Sequence, residues 1–386
     1  MQLSVVILNY KVRHFLELCL ESVVRATHLI DSEIIVVDNH SQDNSCQMVK
    51  SRFPGVILIE NNENFGFPKG NNIGVAVAKG QFICILNPDT IVPEHFFKEL
   101  LACAKSQSNL GIIGCQLLDG AGNYLPESKR GVPTPWVALT KIFGLYQLFP
   151  KSALFNQYYA GHLSENESGK VSILVGAMMF MKKSIYEKVG GFDEACFMYS
   201  DDIDLSYLVL KLGLDNYYYA DLQAIHFKGE STIKDQKYIQ RFQEAMDFFY
   251  AKHFKKSSLF NVGMKIGAFI FVHFKAKKKG FEMEYPNKVV LLSKNQHLEK
   301  KLETMFLKQD FHVYHEISNQ NLLLNLKEQI RTEIILDTES FSFREIIDFM
   351  YQNKQKNLTF KFILSHQDFL IGSNHSESRG EIIILI

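Results

Sequence analysis

The chain has 386 residues, of which 46% are hydrophobic and 22% charged, and its 42 Lys plus Arg match its 42 Asp plus Glu. That length buries a sizeable core and predicts two domains, while the balanced charge gives no global attraction to nucleic acid. Six scattered cysteines form no C-x-x-C pair, so they read as small core residues of a reducing, cytoplasmic compartment.

The opening "MQLSVVILNY" runs straight into a strand, without the basic region or cleavage site of a signal peptide. No run of 18 uncharged apolar residues occurs, so no membrane-spanning helix is expected. "LSVVILNY" (3–10) is a continuous apolar run, as a strand covered on both faces requires. Residues 12–26 carry Phe15, Leu18, Cys19, Ser22, Val23 and Ala26 at helical spacing. "EIIVVDN" (33–39) predicts a second strand, and "SQDNSCQMVKSRF" a helix opened by capping residues. "GVILIEN" (55–61) and "FICILNPD" (82–89) predict two more strands, with the glycine-rich "NFGFPKGNNIGVAVAKG" between them as a loop leading into a helix. This alternation predicts a doubly wound, mostly parallel sheet whose ligands bind at the carboxyl ends of the strands. Polar residues fall at those ends: Asn9, Asp38 with Asn39, Asn61 with Asn62, and Asn87 with Asp89.

Residues 120–170 hold four prolines and the only tryptophan, Trp136, and read as an irregular excursion. "KVSILVGAMMFMKKSIYEKVGGFDE" then predicts a strand and a short helix ending at Gly190-Gly191. After "YSDDIDLSYLVLKLG", the run "NYYYADLQAIHFKG" predicts a strand ending in His226. Residues 251–280 hold eight lysines and no acid, with Phe260, Met264, Phe271 and Phe274 on one helical face. Two readings stay open there: a surface helix packed on the domain, or an interfacial helix against anionic lipid. From Pro286 a smaller α/β unit is expected, and its first turn, "SKNQHLEK", lacks a dinucleotide-binding fingerprint. The expected domains are thus 1–250, a basic connecting helix 251–285, and 286–386.

Carboxylates carry the chemistry. Asp89 sits after a buried strand, where Mg²⁺ typically takes one or two carboxylates plus substrate phosphates, although Asn-Pro-Asp is also ordinary turn chemistry. In the loop before the fourth strand, Gly66 permits close backbone approach and Lys69 faces a phosphate, or the glycines serve turn geometry alone. "FMYSDDIDL" sets Asp201 and Asp202 behind an apolar wall, where one carboxylate raises the pKa of the other and Asp202 is placed as a general base. Asp204 falls early in the next helix and serves its dipole.

Together "SVVILNY", "IIVVDNHSQDNS", "NENFGFPKGNNIG", "ILNPDTIV", "VGAMMFMKKSIYEKVGGFDEACFMYSDDIDL" and "HFKGEST" resemble the family 2 glycosyltransferases, in the branch that includes rhamnosyltransferase-like enzymes of surface-polysaccharide synthesis. The resemblance covers residues 3–235. It implies a GT-A fold and an inverting transfer from a nucleotide sugar (dTDP-, UDP- or GDP-linked) with Mg²⁺ or Mn²⁺. The acceptor would be a glycan or polyprenyl-linked glycan at the inner face of the cytoplasmic membrane. It places Asn9, Asp38, Gly66, Lys69, Asn72 and Asn87 at the nucleotide sugar, Asp89 and His226 at the metal, Asp202 as the base, and Gly176 and Asp201 toward the acceptor. The chain departs from the family's pattern at Asp201, where Glu is usual, at Asn87, where an acid is usual, and at Leu208, where arginine is common. Two rivals remain: a sugar nucleotidyltransferase of similar fold, which "NYKVRHF" disfavours for want of a glycine, and an inactive saccharide- or nucleotide-binding protein. The oligomeric state stays open, a homodimer included.

Overall fold

The computed structural model describes residues 1–134, 136–137, 140, 144–149, 152, 154–228, 236–254, 286–320, 322, 326, 330–355, 357–364, 367–374 and 380–385. Most of the basic connecting segment, residues 255–285, therefore lies outside the described residues.

The first unit contains β1 (Leu3–Asn9), β2 (Ser32–Asp38), β3 (Ile57–Glu60), β4 (Phe82–Leu86), β5 (Thr90–Ile91), β6 (Leu110–Leu118), β7 (Lys129–Arg130), β8 (Gly169–Val171), β9 (Ile173–Leu174), β10 (Met178–Lys182) and β11 (Asp215–His226). Its main sheet has the order β3-β2-β1-β4-β10-β6-β11-β5, with β8 on β11, while β7 and β9 form a separate ribbon. β1, β2, β3 and β4 are parallel. β10 enters between β4 and β6 antiparallel to both, so the sheet is mixed beyond its parallel half.

β1 is buried along its whole length because helices cover both faces. The helix Arg13–Thr27 buries Leu16, Cys19, Leu20 and Val23 on one of those faces. The helix Gly66–Val77 approaches from the other, where a Cβ on Gly70 would lie 2.4 Å from Leu8 Cδ1. Packing against the sheet thus accounts for Gly70 directly.

Two sequence expectations change here. β6, "LGIIGCQLL", is a wholly buried central strand that the sequence reading passed over. The single strand expected over 170–181 is three short pieces, broken at Ser172 and at Val175-Gly176-Ala177, and the second break turns Gly176 toward Asp202.

The second unit holds β12 (Lys288–Leu292), β13 (Asp310–Tyr314), β14 (Thr332–Asp337), β15 (Leu358–Ile363), β16 (Phe369–Gly372) and β17 (Glu381–Ile384), in the order β13-β12-β14-β15-β16-β17. Its first four strands are parallel and its last two antiparallel. This unit shares a core with the first. Phe15, Ile91, Leu118, Ile225 and Phe227 pack in one cluster with Phe343, Ile346, Phe360 and Phe362. The Phe227 ring lies 4.9 Å from Phe15 and 5.9 Å from Phe362, centre to centre. Glu94 accepts from the Phe343 and Arg344 amides at 2.8 and 3.1 Å, so one unit caps the helix Phe343–Gln352 of the other.

Candidate active site

Three polar groups sit along the carboxyl edge of the parallel strands. The first joins β1 to β2. Asn9 Nδ2 donates to Asp38 Oδ1 at 2.7 Å, and Ser41 donates to the same carboxylate from its amide and its hydroxyl at 2.9 and 2.5 Å. Asp38 is buried and fully engaged, while Asn9 Oδ1 is buried without a partner among the described residues. Asn39 extends this group to the glycine-rich segment, donating to the Gly66 carbonyl at 3.0 Å and accepting from Asn61 at 2.8 Å.

The second group follows β4. Asn87 Nδ2 lies 3.2 Å from His226 Nε2, and Asp89 Oδ1 lies 3.4 Å from the same nitrogen. β5 follows Asp89 immediately and pairs with the end of β11, Thr90 opposite His226, which is why residues 137 apart meet here. The Phe227 amide donates to the Asp89 carbonyl at 3.0 Å and closes the corner. Asp89 and His226 are both buried, and His226 Nδ1 has no partner among the described residues.

The third group is the aspartate segment itself. Asp202 Oδ2 accepts from the Gly176 amide at 3.0 Å and from the Arg130 guanidinium. Asp201 and Asp202 are 7% and 8% exposed, so two adjacent carboxyls are nearly out of water. Burial and the neighbouring Asp202 charge push the Asp201 carboxyl up to about 7. Burial works against the Arg130 charge, but Asp202 and Tyr158 outweigh it and hold the guanidinium protonated. Gly176 lies close against the pair: a Cβ there would meet Asp202 Cβ at 3.2 Å and Asp201 Oδ2 at 3.6 Å.

Backbone amides connect the second and third groups. The Asn87 amide donates to the Ala177 carbonyl at 2.9 Å, and the preceding residue, Gly176, donates to Asp202. Another backbone bond, Phe67 to the Phe197 carbonyl at 3.1 Å, closes the aspartate segment onto the glycine-rich one. Gly66 sits at φ +81°, and a Cβ there would lie 2.8 Å from that carbonyl.

Two residues assigned to the nucleotide sugar are engaged elsewhere. Lys69 sets its ammonium 4.0 Å from the centre of the Phe65 ring. Asn72 accepts from Tyr186 Oη at 2.5 Å and donates to the Phe192 carbonyl and to Glu194, each at 2.9 Å, so both ends of its amide brace the GGFDE segment. Beside that segment a cleft of about 330 Å³ is lined by Asn72, Gly191, Glu194, Leu208 and Lys252.

Arg130 is the residue the sequence did not mark. It belongs to an irregular stretch, 72 residues from its partner, and nothing in "PESKRG" distinguishes it from a surface cation.

Among the described residues no three His, Cys, Asp or Glu side chains converge as a complete metal cage. Asp89 and His226 instead offer one oxygen and one nitrogen at a single corner, which fits a cation that keeps waters and substrate phosphates as its other ligands.

Residues 4–190 match the family model described as glycosyl transferase family 2. The chain is 26% identical over 244 residues to an N-acetylglucosaminyl-diphospho-decaprenol L-rhamnosyltransferase of Mycobacterium tuberculosis, covering 60% of this chain and 78% of that one. It is 26% identical over 172 residues to the rhamnosyltransferase WbbL of Escherichia coli K12, covering 42% and 61%. Among solved structures, it aligns with a mannosyltransferase of Pyrobaculum calidifontis in complex with GDP-Man and Mn²⁺, with 16% identity, a TM-score of 0.47 and coverage of 72% and 76%.

Proposed function

The chain belongs to glycosyl transferase family 2 through its residues 4–190, and from that premise we propose a metal-assisted, inverting transfer of a sugar from a nucleotide sugar to a lipid-linked glycan acceptor in cell-surface polysaccharide synthesis. One observation carries the reading. Asp89 with His226, a pair able to ligate a metal, and a buried carboxylate, Asp202, are joined by two backbone amides, Asn87 donating to the Ala177 carbonyl and Gly176 to the Asp202 side chain. Leaving group and attacking group need that proximity, on opposite sides of one reacting carbon.

Asp202 takes the proton of the acceptor hydroxyl as that oxygen forms its bond to the anomeric carbon. The bond from that carbon to the diphosphate breaks, and its electron pair leaves with the nucleoside diphosphate. Asp89 and His226 would hold a divalent cation, which would supply charge stabilisation to that diphosphate. Asn9, Asp38 and Ser41, already locked to one another, present a preorganised edge to the nucleoside. The acceptor of the mycobacterial relative is named as a decaprenyl diphosphate sugar, which supports a lipid-linked acceptor here. Such an acceptor calls for work at the membrane surface, in keeping with the lysine-rich 251–280.

A thermal-shift screen of UDP-, GDP- and dTDP-sugars with and without Mn²⁺ selects the donor. With that donor, Asp89→Asn is expected to abolish the metal-dependent part of binding, and Asp202→Asn to keep binding while turnover falls at least ~10²-fold. Donor binding indifferent to both EDTA and Asp89→Asn would remove the metal from the proposal.

A further inference from the structure

We propose that Arg130 is a positioning residue of this reaction: with the Gly176 amide it fixes Asp202 Oδ2, balances the charge of the aspartate pair, and leaves Oδ1 as the oxygen that receives the acceptor proton. The inference rests on the reading of Asp202 as the base.

Two neighbouring carboxyls this deeply buried cannot both ionise without a counter-charge. Among the described residues Arg130 is the cation that touches Asp202. Among the described residues, Tyr158 faces Arg130, and Tyr186 and Cys196 interact with Asp201; these three are not cationic. The pair is therefore split by contact: Asp202 lies against the guanidinium, whereas Asp201 lies under the field of Asp202.

The delivery of Arg130 is also built in. β7 pairs with β9, Lys129 opposite Leu174 and Arg130 opposite Ile173. Side chains alternate along a strand, so these two cations point opposite ways. Lys129 donates to the carbonyls of Tyr159, Ala160 and Leu163 at 3.3, 3.2 and 2.7 Å, which pins β7 from behind. Arg130 is then held against Asp202 from the other face. The two carboxylate oxygens end up unequal. Oδ2 has two donors, while Oδ1 is buried with no partner among the described residues. A buried acceptor oxygen left open is costly unless a ligand uses it, and an acceptor hydroxyl is the donor this reaction provides.

The test titrates the substrate-free full chain, labelled with ¹³C at aspartate carboxyls, by NMR, using Asp201→Asn and Asp202→Asn to assign the pair. Arg130→Gln is expected to raise the upper apparent midpoint of the pair by at least about one pH unit, the usual effect of one close opposite charge. With the donor selected above, the acid limb of kcat/KM is expected to move up in parallel. A role in folding alone would lower thermal stability without moving either. An unmoved midpoint in folded Arg130→Gln overturns the proposal. Should that variant not fold, Arg130→Lys decides, because it keeps the charge and loses the planar fork. It is expected to leave the midpoint near the wild-type value and lower kcat, and a wild-type kcat overturns the positioning role. The two readings separate cleanly. If Asp202→Asn keeps its turnover, the base assignment fails; if it loses turnover while Arg130→Gln leaves the midpoint in place, only the role of Arg130 fails.

Discussion

Asp204 accepts from Lys252 Nζ at 2.8 Å, and through this contact the aspartate helix Asp201–Lys211 holds the far end of the helix Gln236–His253. His253 Nε2 reaches the same carboxylate at 2.5 Å, and its Nδ1 lies 2.9 Å from Lys211 Nζ. A lysine can only donate, so Nδ1 accepts and Nε2 carries the proton that faces Asp204. The sequence made Asp204 a helix-dipole residue. It is also the buried anchor of a second helix, at 1% exposure. Asp204→Asn is expected to cost about 2 kcal/mol, below the ~3–5 of a wholly buried pair because Lys252 is partly solvated. Calorimetry should show the loss as a lower Tm, with turnover changed far less than in Asp202→Asn.

Asp201 makes stability depend on pH. Burial and the Asp202 charge raise its folded-state carboxyl to about 7, above its ordinary unfolded value of 3.8. Stability from keeping it protonated is complete below the unfolded value and is lost as pH rises through the folded one. Asp201→Asn removes that titration. Its Tm relative to wild type should therefore climb between about pH 4 and pH 7, the window set by these two values. A difference in Tm that stays flat across that window would show that Asp201 is ionised throughout.

Much of the candidate site was legible because its polar residues follow directly on buried strands. Buried β-rich runs end in Asn9, Asp38 and Asn87, with Asp89 two residues on, and the fold brings strand ends to one edge. Arg130 was not legible, since an ion pair across 72 residues leaves no trace in periodicity. β6 escaped because Gly111 and Gly114 interrupt its apolar run, although both are buried in the sheet. The break around Gly176 escaped for the opposite reason: "KVSILVGAMMFM" is apolar enough to read as one strand. Phe15 and Leu18 share a helical spacing with Cys19 and Val23, yet they belong to the core shared with the second unit, which spacing alone does not reveal.

That shared core sets an expectation for residues 286–386. Phe227 follows His226 directly and is wedged between Phe15 and Phe362. Ending the chain at residue 285 would expose the Phe15, Ile91, Ile225 and Phe227 surface, and each large side chain uncovered costs roughly 1.5–3 kcal/mol. The shortened chain is expected to aggregate, so expression as a soluble, cooperatively unfolding domain would show that the two units are independent. A milder probe is Phe362→Ala, expected to cost about 3–5 kcal/mol as a buried aromatic truncation. It should weaken Mn²⁺-dependent donor binding as well, because the His226 corner loses its support.

Membrane association is the remaining prediction. Lys252, one of the eight lysines in 251–280, is tied to Asp193 and Asp204, which leaves seven in sequence with no acid among them. The helix that leads into this segment is fixed to the 131–160 excursion by Tyr250, whose hydroxyl donates to the Pro133 carbonyl at 2.7 Å. That excursion exposes apolar groups: Trp136 is 45% exposed, Leu148 70%, Phe149 50% and Leu154 53%. Exposed aromatic residues and a lysine-rich sequence each suit the interface of an anionic bilayer, where each lysine contributes about 1 kcal/mol. Among the described residues no helix is long and apolar enough to cross a membrane. The protein should sediment with phosphatidylglycerol vesicles at low salt and be released as ionic strength rises, because the attraction is screened within about 8–10 Å. Replacing Lys275, Lys277, Lys278 and Lys279 by Gln should release it at low salt without changing turnover of a water-soluble acceptor analogue. Trp136→Ala with Phe149→Ala should instead weaken the fraction that resists salt. Wild-type protein that ignores phosphatidylglycerol vesicles at low salt would leave the lysine run as an ordinary solvated segment and the aromatic groups as an uncovered surface.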